Sequence, residues 1–255
     1  MSGSRILITG SADGLGLMAA QRLINAGHEV VLHARNSKRA ADGLAAAPGA
    51  AGALVGDLSS IAETVDLADQ ANATGRFDAV IHNAGLYREP RRVETVDGLA
   101  RTFAVNVLAP YLLTALIDRP ARLVYLTSGM HRSGGADLDD LQWTRRSWNW
   151  SQAYSDSKLL VVALAFAVAR KWPDVRSNVV DPGWVATKMG GPGAPDDLAQ
   201  GSESQVWLAV GDTSSTGGYY YHRERYEADR AASDVQVQET LLTTCRDLSG
   251  VEFPS

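Results

Sequence analysis

Apolar runs rich in Val, Ile and Leu alternate with segments of helical period along the whole chain. Residues 5–9 form one such run, and residues 14–26 follow with Leu15, Met18, Ala19 and Leu23 on one helical face. The same pattern predicts strands at 29–33, 53–56, 78–82, 122–127, 176–180 and 218–221. It predicts helices at 37–47, 59–73, 96–117, 151–171, 199–210 and 234–248, the second opening on a serine cap and an early glutamate. Short strands that are apolar on both faces and separated by helices assemble as a parallel sheet covered on both sides. The expected fold class is therefore α/β, a doubly wound parallel sheet of about seven strands with helices on both faces. No composition shift marks a linker and no repeat is present, so residues 1–255 are expected to form one domain.

Composition narrows the function. The formal net charge is −5 and no basic block is long enough to track a phosphate backbone, which argues against nucleic acid and anionic membrane as partners. A single cysteine, Cys245, rules out an internal disulfide and a thiolate metal cage. The longest uninterrupted apolar run, 159–169, has 11 residues, against the roughly 20 of a spanning helix. With no charged start followed by an apolar stretch, the expected location is the cytoplasm.

The first candidate chemistry follows the first strand, in Thr9, Gly10, Ser11, Ala12, Asp13, Gly14, Leu15 and Gly16. Glycines here let the chain turn sharply, let backbone approach a diphosphate, and let helix pack on strand. The helix that opens there directs unpaired N–H groups and about half a positive charge at an anion.

This T-G-x-x-x-G-x-G run resembles that of the short-chain dehydrogenase/reductase family, in its shorter single-domain branch. Three more family motifs recur in order. Asp57 and Leu58 follow the third strand, where the family's aspartate holds adenine. Asn83, Ala84 and Gly85 follow the fourth, where an N-A-G braces the sheet and lines the cofactor. Pro182, Gly183, Val185 and Thr187 match a P-G-x-V-x-T segment that holds the nicotinamide carboxamide. The resemblance implies a Rossmann-type fold and a nicotinamide dinucleotide.

The second strand indicates which dinucleotide. An acidic residue at its end would accept the ribose hydroxyls of NAD and repel a 2′-phosphate. Here Ala34 stands there, followed by Arg35, with Lys38 and Arg39 beyond. A guanidinium pairs well with phosphate. The expected cofactor is NADP(H), against the alternative of a solvated basic helix start. Asp13 departs from the pattern, since some NADP-using relatives carry a basic residue at that position.

Tyr154 and Lys158 open the helix after the fifth strand, four apart and so on one helical face. A nearby ammonium is expected to lower the phenol's pKa from about 10 towards the working range of an acid or base. By resemblance Ser128 orients the substrate oxygen, with Thr127 as the competing hydroxyl, and Asn106 holds a water near the lysine in a proton relay. The chain is thus expected to be an oxidoreductase that interconverts a small-molecule carbonyl and alcohol, Tyr154 acting as acid or base and no metal taking part. An NADP(H)-binding redox sensor without turnover is the alternative. The sugar-nucleotide epimerase branch shares the Tyr–Lys pair but has a longer C-terminal part and a wider glycine gap.

Ser128 and Tyr154 are 26 positions apart, about twice the common family spacing. The extra stretch carries Trp143, Trp148 and Trp150 beside Arg145 and Arg146, and resembles the retinol-dehydrogenase-like and carbonyl-reductase-like branch. These tryptophans either pack the loop or wall the pocket, and Trp184 is a further pocket candidate. Arg88, Arg91 and Arg92 either steer an acidic substrate or lie on a solvated loop. In many relatives the asparagine and tyrosine helices form a dimer interface. Here the tryptophan-bearing stretch is expected to cover that surface, which favours a monomer over a homodimer.

Overall fold

The computed structural model describes residues 3–254. One sheet takes up every strand: β1 (Arg5–Ile8), β2 (Glu29–Ala34), β3 (Gly52–Val55), β4 (Ala79–His82), β5 (Arg122–Leu126), β6 (Arg176–Asp181), β7 (Tyr219–Tyr221) and β8 (Glu224–Tyr226). Its order is β3-β2-β1-β4-β5-β6-β7-β8, parallel as far as β7. Alternate side chains of one central strand enter different cores, which is why β1, β2, β4 and β5 are largely apolar on both faces. On β1, Ile6 and Ile8 join one cluster with Ala19, Ala20 and Leu23 of α1 (Gly14–Asn25) and Leu208 of α7 (Leu198–Val210). Leu7 joins the other, built on α3 (Ile61–Ala73), α5 (Ala109–Leu116), α6 (Trp150–Lys171) and α9 (Val235–Ser249). The remaining helices are α2 (Ser37–Ala46), α4 (Arg101–Phe103) and α8 (Arg230–Ser233).

The sheet has eight strands rather than about seven. The additional β8 pairs antiparallel with β7 and is exposed at all three residues, so it carries no apolar signal. Its turn places His222 (φ 48°) and Arg223 (φ 66°) in the left-handed region, the geometry of a tight primed hairpin without the usual glycine. The helix expected from residue 96 begins at Arg101. Before it, Gly98 (φ 76°) turns the chain, and Glu94 and Ala100 form an isolated antiparallel bridge. Between α4 and α5 the helix widens into a π turn, Ala104–Leu108.

Ser60 caps α3 by accepting from the Glu63 N–H, as the capping pattern predicts. The Glu63 carboxylate, however, reaches the backbone N–H of Asp57 at 2.8 Å. Helix α6 is long and apolar enough by composition to cross a membrane, and 83% of its apolar window is buried inside the fold, the mark of a core helix.

Candidate active site

The strand order reverses direction between β1 and β4, and a crevice opens at the carboxyl ends of the strands there. It is a cleft of about 1200 Å³. Gly10 (φ 63°) turns the chain out of β1, and a Cβ on it would lie 2.9 Å from the Ala84 Cα. A Cβ on Gly16 would meet the Asn83 Nδ2 at 2.5 Å and the Gly10 carbonyl at 2.7 Å. Neither position has room for a larger residue. The Asp13 side chain does not cap α1, and Ala12, Gly14 and Leu15 line the cleft at its first turn. These uncapped N–H groups and the helix dipole fit a dinucleotide's diphosphate.

Asn83 braces this end of the sheet by donating to the Thr9 and Gly10 carbonyls at 2.9 and 3.1 Å. The Ala84 N–H donates to Thr9 Oγ1 at 3.0 Å. Asp57 and Leu58 line the cleft further out, with Asp57 Oδ1 accepting from both the N–H and hydroxyl of Ser59. Beside them stands a residue whose role the sequence did not reveal. His33 Nδ1 accepts from the Gly10 N–H and its Nε2–H donates to the Gly56 carbonyl, each at 2.9 Å. The backbone partners fix this tautomer, and burial pushes the imidazole pKa down, keeping the ring neutral. His33 thus ties the glycine turn to the end of β3.

Ala34 is buried at the end of β2, and Arg35 is exposed on the rim of the cleft. Asp13 is ion-paired with Arg39 and, at 3.2 Å, with Lys188. The departure noted in the sequence is thus paired with two cations at the cleft rather than standing as a lone anion.

At the other end of the cleft Ser128, Tyr154 and Lys158 converge. The Ser128 hydroxyl stands near that of Tyr154 and acts to lower its pKa. The competing hydroxyl is structural: Thr127 Oγ1 donates to the Lys158 carbonyl at 2.8 Å and is buried. Lys158 Nζ lies 5.6 Å from the Tyr154 ring centroid and donates to the Leu126 carbonyl at 2.8 Å. Burial lowers the lysine pKa to about 8.

The expected lowering of the Tyr154 pKa by Lys158 is not what this geometry gives. Burial drives the phenol pKa upward, the Ser128 hydroxyl offsets only part of that, and the Asp181 charge adds to the rise. Desolvation dominates, and the Lys158 ammonium is committed to the Leu126 carbonyl. Tyr154 is held as the neutral acid.

Asn106 sits in the π turn, fully buried. Its Oδ1 accepts from the Leu86 N–H, and its Nδ2 donates to the Leu86 carbonyl and to Ser157 Oγ. Its side-chain amide is thus committed to Leu86 and Ser157. Gly85 keeps the space between this amide and the lysine. A Cβ there would lie 3.4 Å from Lys158 Nζ and 3.5 Å from Asn106 Oδ1.

Three further residues belong to this site. Asp181 is buried where β6 meets the loop, accepting from the Gly183 N–H and the Tyr219 hydroxyl, both at 2.9 Å. His131 holds the Ser128 turn, bonding the Ser128 carbonyl at 2.8 Å through Nδ1 while Nε2 accepts from the Asp229 N–H. Tyr87 places its ring 4.6 Å from that of Tyr154.

Of the loop after β6, Pro182, Gly183, Trp184, Val185 and Thr187 line the cleft. Gly183 (φ 81°) makes the turn, and Trp184, half exposed, donates its indole N–H to the Gly190 carbonyl at 2.9 Å. The tryptophans of the stretch leading into α6 pack among themselves and against the segment after Gly85. Trp143 is buried against Trp148 with the Arg146 guanidinium 3.7 Å from its centroid, and Trp148 donates to the Glu89 carbonyl. Neither lines the cleft, and nor does Trp150.

Comparison with known proteins agrees with this geometry. Residues 10–217 match the family profile described as enoyl-(acyl carrier protein) reductase. The chain is 45% identical to the short-chain dehydrogenase chyC of Penicillium rubens, over 99% of this chain and 100% of that one. It is 29% identical to retinol dehydrogenase 13 of Homo sapiens, over 99% of this chain and 86% of that one. A crystal structure of a Mycobacterium paratuberculosis protein superposes with a TM-score of 0.88 at 24% identity, covering 99% of this chain and 95% of that one. An NADPH-dependent 3-quinuclidinone reductase from Rhodotorula rubra superposes with a TM-score of 0.67 at 22% identity, covering 87% and 90%. The chain belongs to the short-chain dehydrogenase/reductase family of oxidoreductases.

Proposed function

We propose that this protein reduces a carbonyl compound to an alcohol, reversibly, with NADP(H) as the redox partner and Tyr154 as the proton donor. The observation that carries the reading is a buried phenol beside Ser128 and Lys158 in the cleft that also holds the glycine turn and Arg35. When bound, the dinucleotide supplies the hydride. Gly10, Ala12, Asp13, Gly14 and Leu15 would face its diphosphate while Gly16 lets α1 pack on the sheet, with Arg35 at its 2′-phosphate and Pro182, Gly183, Val185 and Thr187 at its carboxamide.

Tyr154 gives its proton to the substrate oxygen, and Ser128 donates a hydrogen bond to the same atom. Lys158, with a pKa of about 8, carries its charge at neutral pH and offsets the alkoxide that develops there. Asn106 acts as a positioning residue, through Leu86 and Ser157. Incubation with NADPH and a panel of ketones and aldehydes tests the reading. Consumption of NADPH with stoichiometric alcohol supports it, and no turnover of any carbonyl compound overturns it.

The C-terminal segment, rather than the tryptophan-bearing stretch expected to do so, packs along the candidate dimer surface of α5 and α6, and this supports a monomer. Tyr111 on α5 donates to the Val251 carbonyl, Phe253 stacks on Trp172 at the end of α6, and α8 and α9 pack along α6. Sedimentation at micromolar concentration should give a species near 27.2 kDa. One near twice that mass contradicts it.

A further inference from the structure

The segment after Gly85 carries an arginine that the chemistry above does not use. Arg88 has a left-handed backbone (φ 52°), an uncommon conformation for a residue with a long side chain. Its guanidinium lies over two rings, 5.2 Å from the Tyr87 centroid and 5.8 Å from that of Trp150. Tyr87 in turn stands 4.6 Å from Tyr154, so a single aromatic ring separates this cation from the proton donor.

Neighbouring charges are committed elsewhere. Glu89 is buried and taken by Arg101 and the Thr102 hydroxyl. Asp181 is taken by Gly183 and Tyr219, and Asp13 by Arg39 and Lys188. Arg92 is paired with Glu94. Among the described residues Arg88 has no carboxylate partner, and it is exposed on the wall of the cleft. An arginine laid on aromatic rings keeps its fork of N–H donors free for an anion. Leu86, Tyr87, Met130, Trp184 and Met189 line the same cleft, a wall suited to a flat apolar body.

We propose that Arg88 is a substrate-specificity residue that selects flat, unsaturated or aromatic carbonyl compounds bearing a carboxylate on the side away from the reacting C=O. This rests on reading the cleft as a carbonyl-reduction site. Tyr87 carries the body of such a substrate between the Tyr154 hydroxyl and the guanidinium, and the carboxylate pairs with the fork.

The test compares 3- and 4-formylbenzoate with their methyl esters, in the wild type and in Arg88→Ala, Arg88→Gln and Arg88→Lys. At low salt the wild type should prefer an acid over its ester in kcat/KM by roughly 10- to 150-fold, the scale of one charge-assisted hydrogen bond. The ratio should collapse towards one in Arg88→Ala and Arg88→Gln, and recover in part in Arg88→Lys. Arg91→Ala, which removes an exposed cation of the same segment, should leave the ratio unchanged. Equal rates on acid and ester, or a preference that survives both Arg88→Ala and Arg88→Gln, overturns the inference. Calorimetric binding of the formylbenzoates in the presence of NADP+ separates this inference from the reading beneath it. Binding that depends on Arg88 without turnover of any carbonyl compound retains the anion site and sinks the reductase. Turnover without a preference for the acid does the opposite.

Discussion

Asn106 grips Leu86 by both its backbone N–H and its carbonyl. Its Oδ1 accepts from the Leu86 N–H at 2.7 Å, and its Nδ2 donates to the Leu86 carbonyl at 3.1 Å. A third bond runs from Nδ2 to Ser157 Oγ at 2.9 Å, one residue before Lys158. A buried side chain in a widened helical turn thus fixes both the segment after β4 and the helix that carries the tyrosine and lysine. Asn106→Ala strands the Leu86 amide and carbonyl and should cost about 2–4 kcal/mol, the scale of unsatisfied buried polar groups. For a chain of this size that lowers Tm by roughly 5–15 °C. Thermal unfolding checks it, and a shift within error would show that the grip carries no stability.

Tyr154→Phe removes the proton donor while keeping the ring that packs on Tyr87. Turnover should fall roughly 10²–10⁴-fold, the scale of a lost general acid, with NADPH affinity nearly unchanged. Calorimetry with NADPH and steady-state rates on one carbonyl substrate measure the two quantities separately. A variant with near-normal rates would move the acid elsewhere.

Cofactor discrimination should reside in Arg35, because Arg39 is already paired with Asp13. Loss of a charge-assisted phosphate contact costs about 1.5–3 kcal/mol. Arg35→Ala should therefore weaken NADPH roughly 10- to 150-fold and barely change NADH. Equal losses for both cofactors would make Arg35 a structural residue.

The parts of this protein that were legible in its sequence are those written in side-chain pattern. Most of the seven parallel strands bury both faces and so appear as apolar runs, whereas β6 also buries Ser177 and Asn178. The glycines at 10 and 16 stand where a Cβ has no room. Ser128 was separable from Thr127 by its place at the strand's end, and the Thr127 hydroxyl is indeed committed to the Lys158 carbonyl. What escaped is written in the backbone or in contacts distant along the chain. β8 is exposed throughout, and the π turn leaves the apolar pattern of its helix unbroken. Lys158 is held by a carbonyl, which has no residue identity to read. Asp181 before Pro182 and Gly183 resembles any turn aspartate until Tyr219, 38 residues later, returns to bond it. His33 resembles a strand residue until the Gly10 turn closes on it.

The last prediction concerns buried histidines and acid. His82 is stacked on Tyr125 at 4.6 Å, its Nε2 bonds Thr114 Oγ1 at 3.2 Å, and its Nδ1 is buried without a partner. Burial lowers its pKa to about 3, and burial likewise lowers that of His33. An unfolded histidine titrates near 6.5, so between pH 6.5 and about 3 the unfolded chain binds a proton at position 82 that the folded chain refuses. The stability due to a neutral His82 is therefore complete above pH 6.5 and declines as pH falls, by about 1.4 kcal/mol per pH unit. His82→Leu removes this proton and the unpartnered nitrogen while roughly preserving volume. Thr114 keeps its 2.7 Å bond to the Tyr125 hydroxyl in that variant, so no hydroxyl is orphaned. Urea unfolding from pH 8 to pH 4.5 should show a modest change at pH 8 and, below pH 6, a slope flatter than the wild type by about 1.4 kcal/mol per pH unit. His33→Leu is the contrasting case. It should also flatten the slope, but it strands the Gly10 N–H and loosens the glycine turn, so NADPH binding should weaken at every pH. Parallel wild-type and His82→Leu curves would mean that His82 protonates in the folded chain as readily as in the unfolded one.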